Sequence, residues 1–439
     1  MTTARSDFPG KPPWKKADGM YNKTCLENGV RIISERLEHL QSVSLGIWVS
    51  TGSRDEDAAR SGISHFIEHM VFKGTKRRTG MQIAKEFDSI GGHSNAFTGK
   101  EHTCYHARVL DRHLGPCADL IADMVLNPTF DAGDLERERQ VVLQEISMVE
   151  DTPDDVIHEL LGRLFWAGHP LGMSVLGSGE TVSTLDRQGM LQHMCNSYVP
   201  GTILVTAAGN VDHDDLVSRF RVLLGHLEGR GDLPVRSSPE PHGAISCNDK
   251  DLEQVHICLG APAPSQKDES RYACSVFNTI LGGNMSSRLF QEVREKRGLA
   301  YSVFSFVSSY QDAGLAGVYA ATDRERVNDL LGTVKGEIDM LIKGGLSPEE
   351  LEAAKEYLIG SMRLSAESSD HLMSRLARSE FLFGHHVSFE EIEDGLRRVS
   401  IGDVARVACS AFCNDKVSLV TLGPFTEKAI DRGILDFGR

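Results

Sequence analysis

Residues 43–53 read VSLGIWVSTGS, and residues 255–265 read VHICLGAPAPS. Each is a short apolar run that ends in Gly, Ser or Pro, the pattern of a buried strand entering a turn. The similarity continues downstream. Phe130-Asp-Ala-Gly-Asp-Leu-Glu opens one long helical pattern, and Leu346-Ser-Pro-Glu-Glu-Leu-Glu opens its counterpart. Aligning Leu135 with Leu351 places Glu138 opposite Ala354 and Glu145 opposite Ser361. A repeat of this length predicts duplicated domains rather than a solenoid. Between the copies, residues 227–245 (LEGRGDLPVRSSPEPHGAI) are rich in Gly, Pro and Ser and carry no periodicity, which reads as a linker. The expectation is an α+β chain of two homologous α/β-sandwich domains, at 20–226 and 246–439. Each holds a mixed, mostly antiparallel sheet with helices, and the two are joined by the linker and enclose a cavity.

Within the first copy, strands are expected at 30–34, 43–50, 93–98 and 102–109, and a final strand at 202–209 closes the half. Helices are expected at 61–72, 81–90, 111–126 and 132–149, with breaks at Gly91-Gly92 and Asn127-Pro128.

Composition narrows the function classes. The 439 residues are 40% hydrophobic and 25% charged, as in a globular protein of two or three domains. No apolar run approaches the roughly 20 residues of a membrane-spanning helix, and the N-terminal stretch lacks the apolar core of a secretory signal. That stretch is also short and proline-broken for a mitochondrial presequence, so a cytoplasmic protein is expected and the mitochondrial matrix is the lesser alternative. The net charge of −15 argues against nucleic acid, whose phosphates call for clustered Lys and Arg. Nine cysteines without a C-x-x-C pair fit reduced thiols rather than a disulfide framework. Cys409 and Cys413, one helical turn apart, lack the further ligands of a metal site.

The chemistry is concentrated in His65-Phe-Ile-Glu68-His69. On a helix the two histidines stand at i and i+4 on one face, where both imidazoles reach a single ion, and Glu68 beside them can act on a water. The bland alternative is a surface helix with two histidines. A hydrolytic zinc needs three protein ligands and an open position, so the third must come from elsewhere. Glu145, 76 residues past His69, lies beside an apolar stripe of Leu135, Val141, Val142, Ile146 and Val149, which argues against a merely solvated acidic face. Glu138, two turns earlier, can accept a proton from a ligating His.

H-x-x-E-H followed by this glutamate resembles the pitrilysin and insulysin clan of inverted zinc peptidases. The likeness is closest to the mitochondrial processing peptidase β-type subunit and its bacterial relatives. It extends through residues 62–79, 91–109, 135–146, 169–181, 198–216 and 284–303. The resemblance implies His65, His69 and Glu145 as ligands of one zinc per chain, Glu68 as general base and Glu138 as their outer carboxylate. It implies an endopeptidase acting on peptides or precursor presequences, with the substrate added as a strand along Asn95, Ala96 and Phe97. From the second half it implies Arg294 and Tyr301, reaching across the cavity toward the substrate. Such a division of the site would require the halves to close, with the linker as hinge and residues 284–289 near substrate entry. A homodimer is expected, without nucleic acid or membrane partners. The alternative is a catalytically silent structural or partner subunit of a processing-peptidase-like complex.

Overall fold

The computed structural model describes residues 20–229 and 233–438, so linker residues 230–232 fall outside it. The first half contributes strands β1 (Met20–Cys25), β2 (Arg31–Arg36), β3 (Ser42–Val49), β4 (His93–Thr98), β5 (Thr103–Leu110) and β6 (Ile203–Gly209). They form one sheet in the order β1-β2-β6-β3-β5-β4. The second half contributes β7 (Ile245–Asn248), β8 (Val255–Ala263), β9 (Val303–Ser309), β10 (Gly314–Thr322) and β11 (Ser418–Leu422), ordered β7-β11-β8-β10-β9. Leaving out β1, the two sheets share the same strand order and directions. Each has a single parallel pair, β2 with β6 and β7 with β11, and the other pairings are antiparallel. VSLGIWV and VHICLGAPA thus occupy equivalent central strands, as the repeat predicts. The strand that closes the first half along the chain, β6, is fully buried as expected and is inserted between β2 and β3.

Helices of the first half are α1 (Ile63–Met70), α2 (Gly80–Ser89), α3 (Leu114–Leu126), α4 (Ala132–Asp151), α5 (Pro153–Phe165), α6 (Gly179–Thr184), α7 (Arg187–Ser197) and α8 (His213–Leu224). Those of the second are α9 (Arg271–Gly282), α10 (Val327–Ile342), α11 (Pro348–Ser365), α12 (Ser369–Phe383), α13 (Phe389–Arg397) and α14 (Ile401–Phe412). None of the described helices is long and apolar enough to cross a membrane.

Both faces of each central strand are buried, which is why β3 and β8 read as continuous apolar runs rather than alternating ones. One face of each sheet packs on helices of its own half. The other face is covered by a helix from the opposite half. Helix α12 lays Leu372, Met373, Leu376 and Ala377 against Ile33, Trp48 and Leu204 of the first sheet. Reciprocally, α5 lays Ile157, Leu161 and Phe165 against Cys258, Tyr319 and Val420 of the second. The halves at 20–226 and 246–439 therefore exchange helices, an arrangement that amphipathic patterning cannot reveal, because a stripe does not say which sheet it meets.

The described part of the linker is pinned rather than loose. Arg236 forks onto Asp55 at 2.7 and 2.8 Å, and the Ser237 carbonyl accepts from Arg54 at 2.6 Å. Arg54, 4% exposed, also binds Glu101 and both carboxylate oxygens of Asp312 at 2.6–2.7 Å, tying the β9–β10 turn to the first half. A hinge at 227–245 would have to break this network and both exchanged helix interfaces, so the chain is built as one unit. All nine cysteines are free.

Candidate metal centre and active site

Helix α1 is fixed by its own sequence. Ile63, Phe66, Ile67 and Met70 form a buried i, i+3, i+4, i+7 stripe, which turns His65 and His69 together to another side. At its start Gly62 has φ +91° and no room for a Cβ, which would meet the Leu176 carbonyl at 2.5 Å. The Glu56 carboxylate accepts from the Gly62 and Ser64 amides at 2.7 and 2.8 Å, capping the otherwise unsatisfied N-terminal N–H groups. Burial pushes this carboxyl up to about 7, against the opposing pull of the two amides.

Helix α4 starts at Asp131, whose side chain accepts from the Gly133 and Asp134 amides. It buries Leu135, Glu138, Val142 and Ile146, whereas Val141, expected in the stripe, is 45% exposed. Glu145 sits on the flank of that stripe. Its Oε2 lies 3.6 Å from His65 Nε2 and 3.6 Å from His69 Nε2. The three donor atoms lie within 4.8 Å of one another. Donors so spaced suit an ion held at ~2.0–2.2 Å from each, the range for zinc bound by imidazole and carboxylate.

The outer contacts select the tautomer. His69 Nδ1 lies 3.3 Å from Glu138 Oε2, so its N–H points there and Nε2 keeps a lone pair for the metal side. The second Glu138 oxygen binds Lys73 Nζ at 2.6 Å, a partner that the sequence reading did not single out. His65 differs: its buried Nδ1 has no hydrogen-bond partner among the described residues, and packing alone holds the ring. Burial and the neighbouring His69 push His65 down to about 4, which keeps it neutral and able to ligate.

Glu68 points toward the sheet edge, where Thr98 Oγ1 donates to its Oε2 at 2.6 Å. Burial pushes the Glu68 carboxyl up, opposed first by that hydroxyl and then by His69. A carboxylate whose proton affinity is raised by desolvation is suited to accepting a proton from water.

Strand β4 lies at the open end of the first sheet. The Gly99 amide donates to the His102 carbonyl at 2.9 Å, which sets the phase of the ladder. Positions 93, 95 and 97 bond to β5, and Ser94, Ala96 and Thr98 direct their amides and carbonyls outward. Of the three expected substrate positions, Ala96 alone offers backbone at the edge, and its amide is held by Asn95 Oδ1 at 2.9 Å. Phe97 turns to the far face and stacks edge-on against Trp48 at 5.6 Å. At the equivalent edge of the second half the Gln266 side-chain amide donates to the Ser309 carbonyl, and the Ser305 hydroxyl donates to the Asn278 carbonyl at 2.9 Å.

Arg294 and Tyr301 stack on each other, with the guanidinium 4.3 Å from the ring centre, and Tyr301 is 78% exposed. No hydrogen bond, ion pair or ring contact among the described residues joins either to the metal cluster.

Acid should weaken this half. His102, packed against Trp48 and Phe381, and His193 are each pushed down to about 4 by burial. An unfolded histidine takes its proton near pH 6.5, so the stability these groups confer is complete above that pH and is lost between about 6.5 and 4. Denaturant melts at successive pH values should show a slope of at most about 1.4 kcal/mol per pH unit per histidine. His102→Gln should flatten it.

A family model described as Insulinase (Peptidase family M16) matches residues 31–179, and one described as Peptidase M16 inactive domain matches residues 184–358. A Bacillus subtilis protein named an uncharacterized zinc protease is 41% identical over 396 residues, covering 90% of this chain and 97% of the relative. The chain belongs to peptidase family M16. A second relative of the same description, from Streptomyces coelicolor, is 39% identical over 422 residues, 94% of this chain and 92% of its own. Two solved structures share the fold. A protease from Helicobacter pylori has TM-score 0.87 and 22% identity, covering 93% of this chain and all of that one. A chain of complex III2 from Candida albicans has TM-score 0.81 and 21% identity, with 94% and 98% covered. The metal cluster and Glu68 lie in the segment matched by the first M16 model. The second model begins within the first half, before α7, and ends within α11 of the second.

Proposed function

We propose that this M16 protein is a zinc-dependent endopeptidase that hydrolyses extended peptides or precursor presequences. The observation that carries this reading is the convergence of His65, His69 and Glu145 donors, with Glu68 beside them and an open strand edge alongside. His65 Nε2, His69 Nε2 and Glu145 Oε2 would hold one zinc. When bound, zinc polarises the scissile carbonyl and lowers the pKa of water from 15.7 to about 7. The outward amides and carbonyls of Ser94, Ala96 and Thr98 bind the substrate backbone as an added strand, which accepts many sequences. Asn95 Oδ1 releases the Ala96 amide as the substrate arrives. Glu68 takes the proton of the attacking water and returns it to the leaving amine, while Thr98 holds the other carboxylate oxygen in place.

Arg294 and Tyr301 are proposed to position the substrate from a second copy of the chain, since the helix exchange and pinned linker leave no free closure within one copy. A homodimer in the cytoplasm fits that arrangement. The likeness to a complex III chain favours one alternative, a silent subunit, but such a subunit has no need of an intact ligand set and base.

Metal analysis of the purified protein, with hydrolysis of a quenched basic peptide before and after chelation, tests the function. One zinc per chain, and cleavage that is lost on chelation and restored by zinc, is expected. A protein that takes up no zinc would return the chain to the silent-subunit reading.

Lys73 gives a sharper check of the ligand set. With zinc bound, Glu68, Glu138 and Glu145 carry three negative charges against three positive ones from the ion and Lys73. Lys73→Met should weaken zinc binding by about 10–100-fold, as measured against a competing chelator. Lys73→Arg should restore most of it.

A further inference from the structure

A cavity of about 900 Å³, lined by none of His65, His69 and Glu145, lies between α9, α11, α12, α13 and the outer end of β9. Its walls are largely apolar, including Leu358, Met362, Leu382, Val387 and Ile392. Set into them are three guanidinium groups, Arg271, Arg375 and Arg378, and no lining residue is Asp or Glu. In a chain of net charge −15 that concentration of one sign needs an explanation.

Of the three, Arg375 is paired with Glu35, whereas Arg271 and Arg378 are not neutralised by local contacts. Arg271 lies 4.3 Å over the Tyr272 ring and 5.3 Å from the Phe383 ring centre, and it donates to Tyr272 Oη and the Asp268 carbonyl. These are neutral acceptors and ring faces, and among the described residues Arg271 makes no ion pair. Arg378 makes none either. Arg375 stacks 3.9 Å over Phe389, donates to the Val387 carbonyl and lies 3.5 Å from Glu35. Arg375 and Arg378 are one turn apart on α12, a spacing at which like charges repel. Aromatic faces hold the Arg271 and Arg375 guanidinium planes in place, as expected where arginine is pre-set for a planar anion. The volume falls within the range of small-molecule sites, which are mostly apolar with a few placed polar groups.

We infer that this cavity binds an amphiphilic anion, with its carboxylate or phosphate on Arg271 and Arg378 and a single apolar chain among the leucines and Met362. A medium-chain carboxylate meets both demands, whereas a free inorganic anion would leave the apolar walls uncovered. The site is independent of the metal centre and does not rest on the peptidase reading.

The test uses the full chain, a fluorescent dodecanoate analogue and unlabelled competitors. Saturable one-to-one binding is expected, displaced by dodecanoate at least about tenfold more effectively than by dodecanol, since a charge-assisted pair contributes about that much. Dodecanoate should also raise the melting temperature. Arg271→Gln with Arg378→Gln should lose the preference for the anion, and Ser275→Trp, at an exposed lining position, should block the chain. Circular dichroism and cooperative melting, unchanged in these variants, establish that they fold. Equal affinity for dodecanol, or binding unchanged in the variants, would overturn the inference. Displacement by inorganic phosphate as effective as by dodecanoate would reduce the site to an inorganic-anion site and refute the amphiphile.

Discussion

Glu68→Gln is expected to keep its zinc and lose peptide cleavage, with kcat lower by about 10²–10⁴-fold. The amide has nearly the shape of the carboxylate and can still accept from Thr98 Oγ1, so the geometry of α1 should survive. What disappears is the group that takes a proton from water. Zinc content separates the outcomes, because neither Nε2 nor Glu145 is touched by the change. Activity that persists would remove Glu68 from the mechanism, and a variant that loses zinc would mean that the residue shapes the metal site instead. Thr98→Val is the milder companion. It leaves the charge but frees the carboxylate to rotate, so kcat should fall while zinc affinity stays the same.

Leu161→Ala is expected to destabilise the protein by about 2–5 kcal/mol, a large part of the roughly 5–15 kcal/mol that holds a domain folded. The side chain is fully buried against the second sheet, on a helix that belongs to the first half. The informative readout is where protection is lost. Hydrogen exchange should rise in β8, β10 and β11, about a hundred residues or more away in sequence and across the linker. If protection falls only within residues 20–226, the exchanged helix is not a structural part of the second sheet.

Much of this was legible in the sequence, and the physical reason differs from place to place. The paired strands VSLGIWV and VHICLGAPA were readable because burial on both faces leaves a continuous apolar run. His65, His69 and Glu68 were readable because helical spacing alone puts them on neighbouring faces. Glu145 needed the resemblance, since no local pattern links it to residues 76 positions earlier. Thr98 and Lys73 were missed as partners of Glu68 and Glu138, because a hydroxyl or an ammonium near a carboxylate leaves no periodic trace. The phase of β4 was also hidden. Only the turn bond from Gly99 to His102 shows that Ala96, rather than Asn95 or Phe97, faces outward.

The exchanged helices also bear on ancestry. A half-length forerunner, holding one sheet and sending one helix outward, would have had an apolar sheet face bare and an apolar helix unplaced. Two such molecules could satisfy each other by trading arms, the usual route of domain swapping. Fusing their genes would then yield a chain in which α5 and α12 still make the ancestral trade. Once the partners were joined, one copy could lose its metal-binding residues without losing its place in the fold. The asymmetry seen today, with the His65, His69 and Glu145 cluster in one copy, is what gene fusion leaves free to evolve.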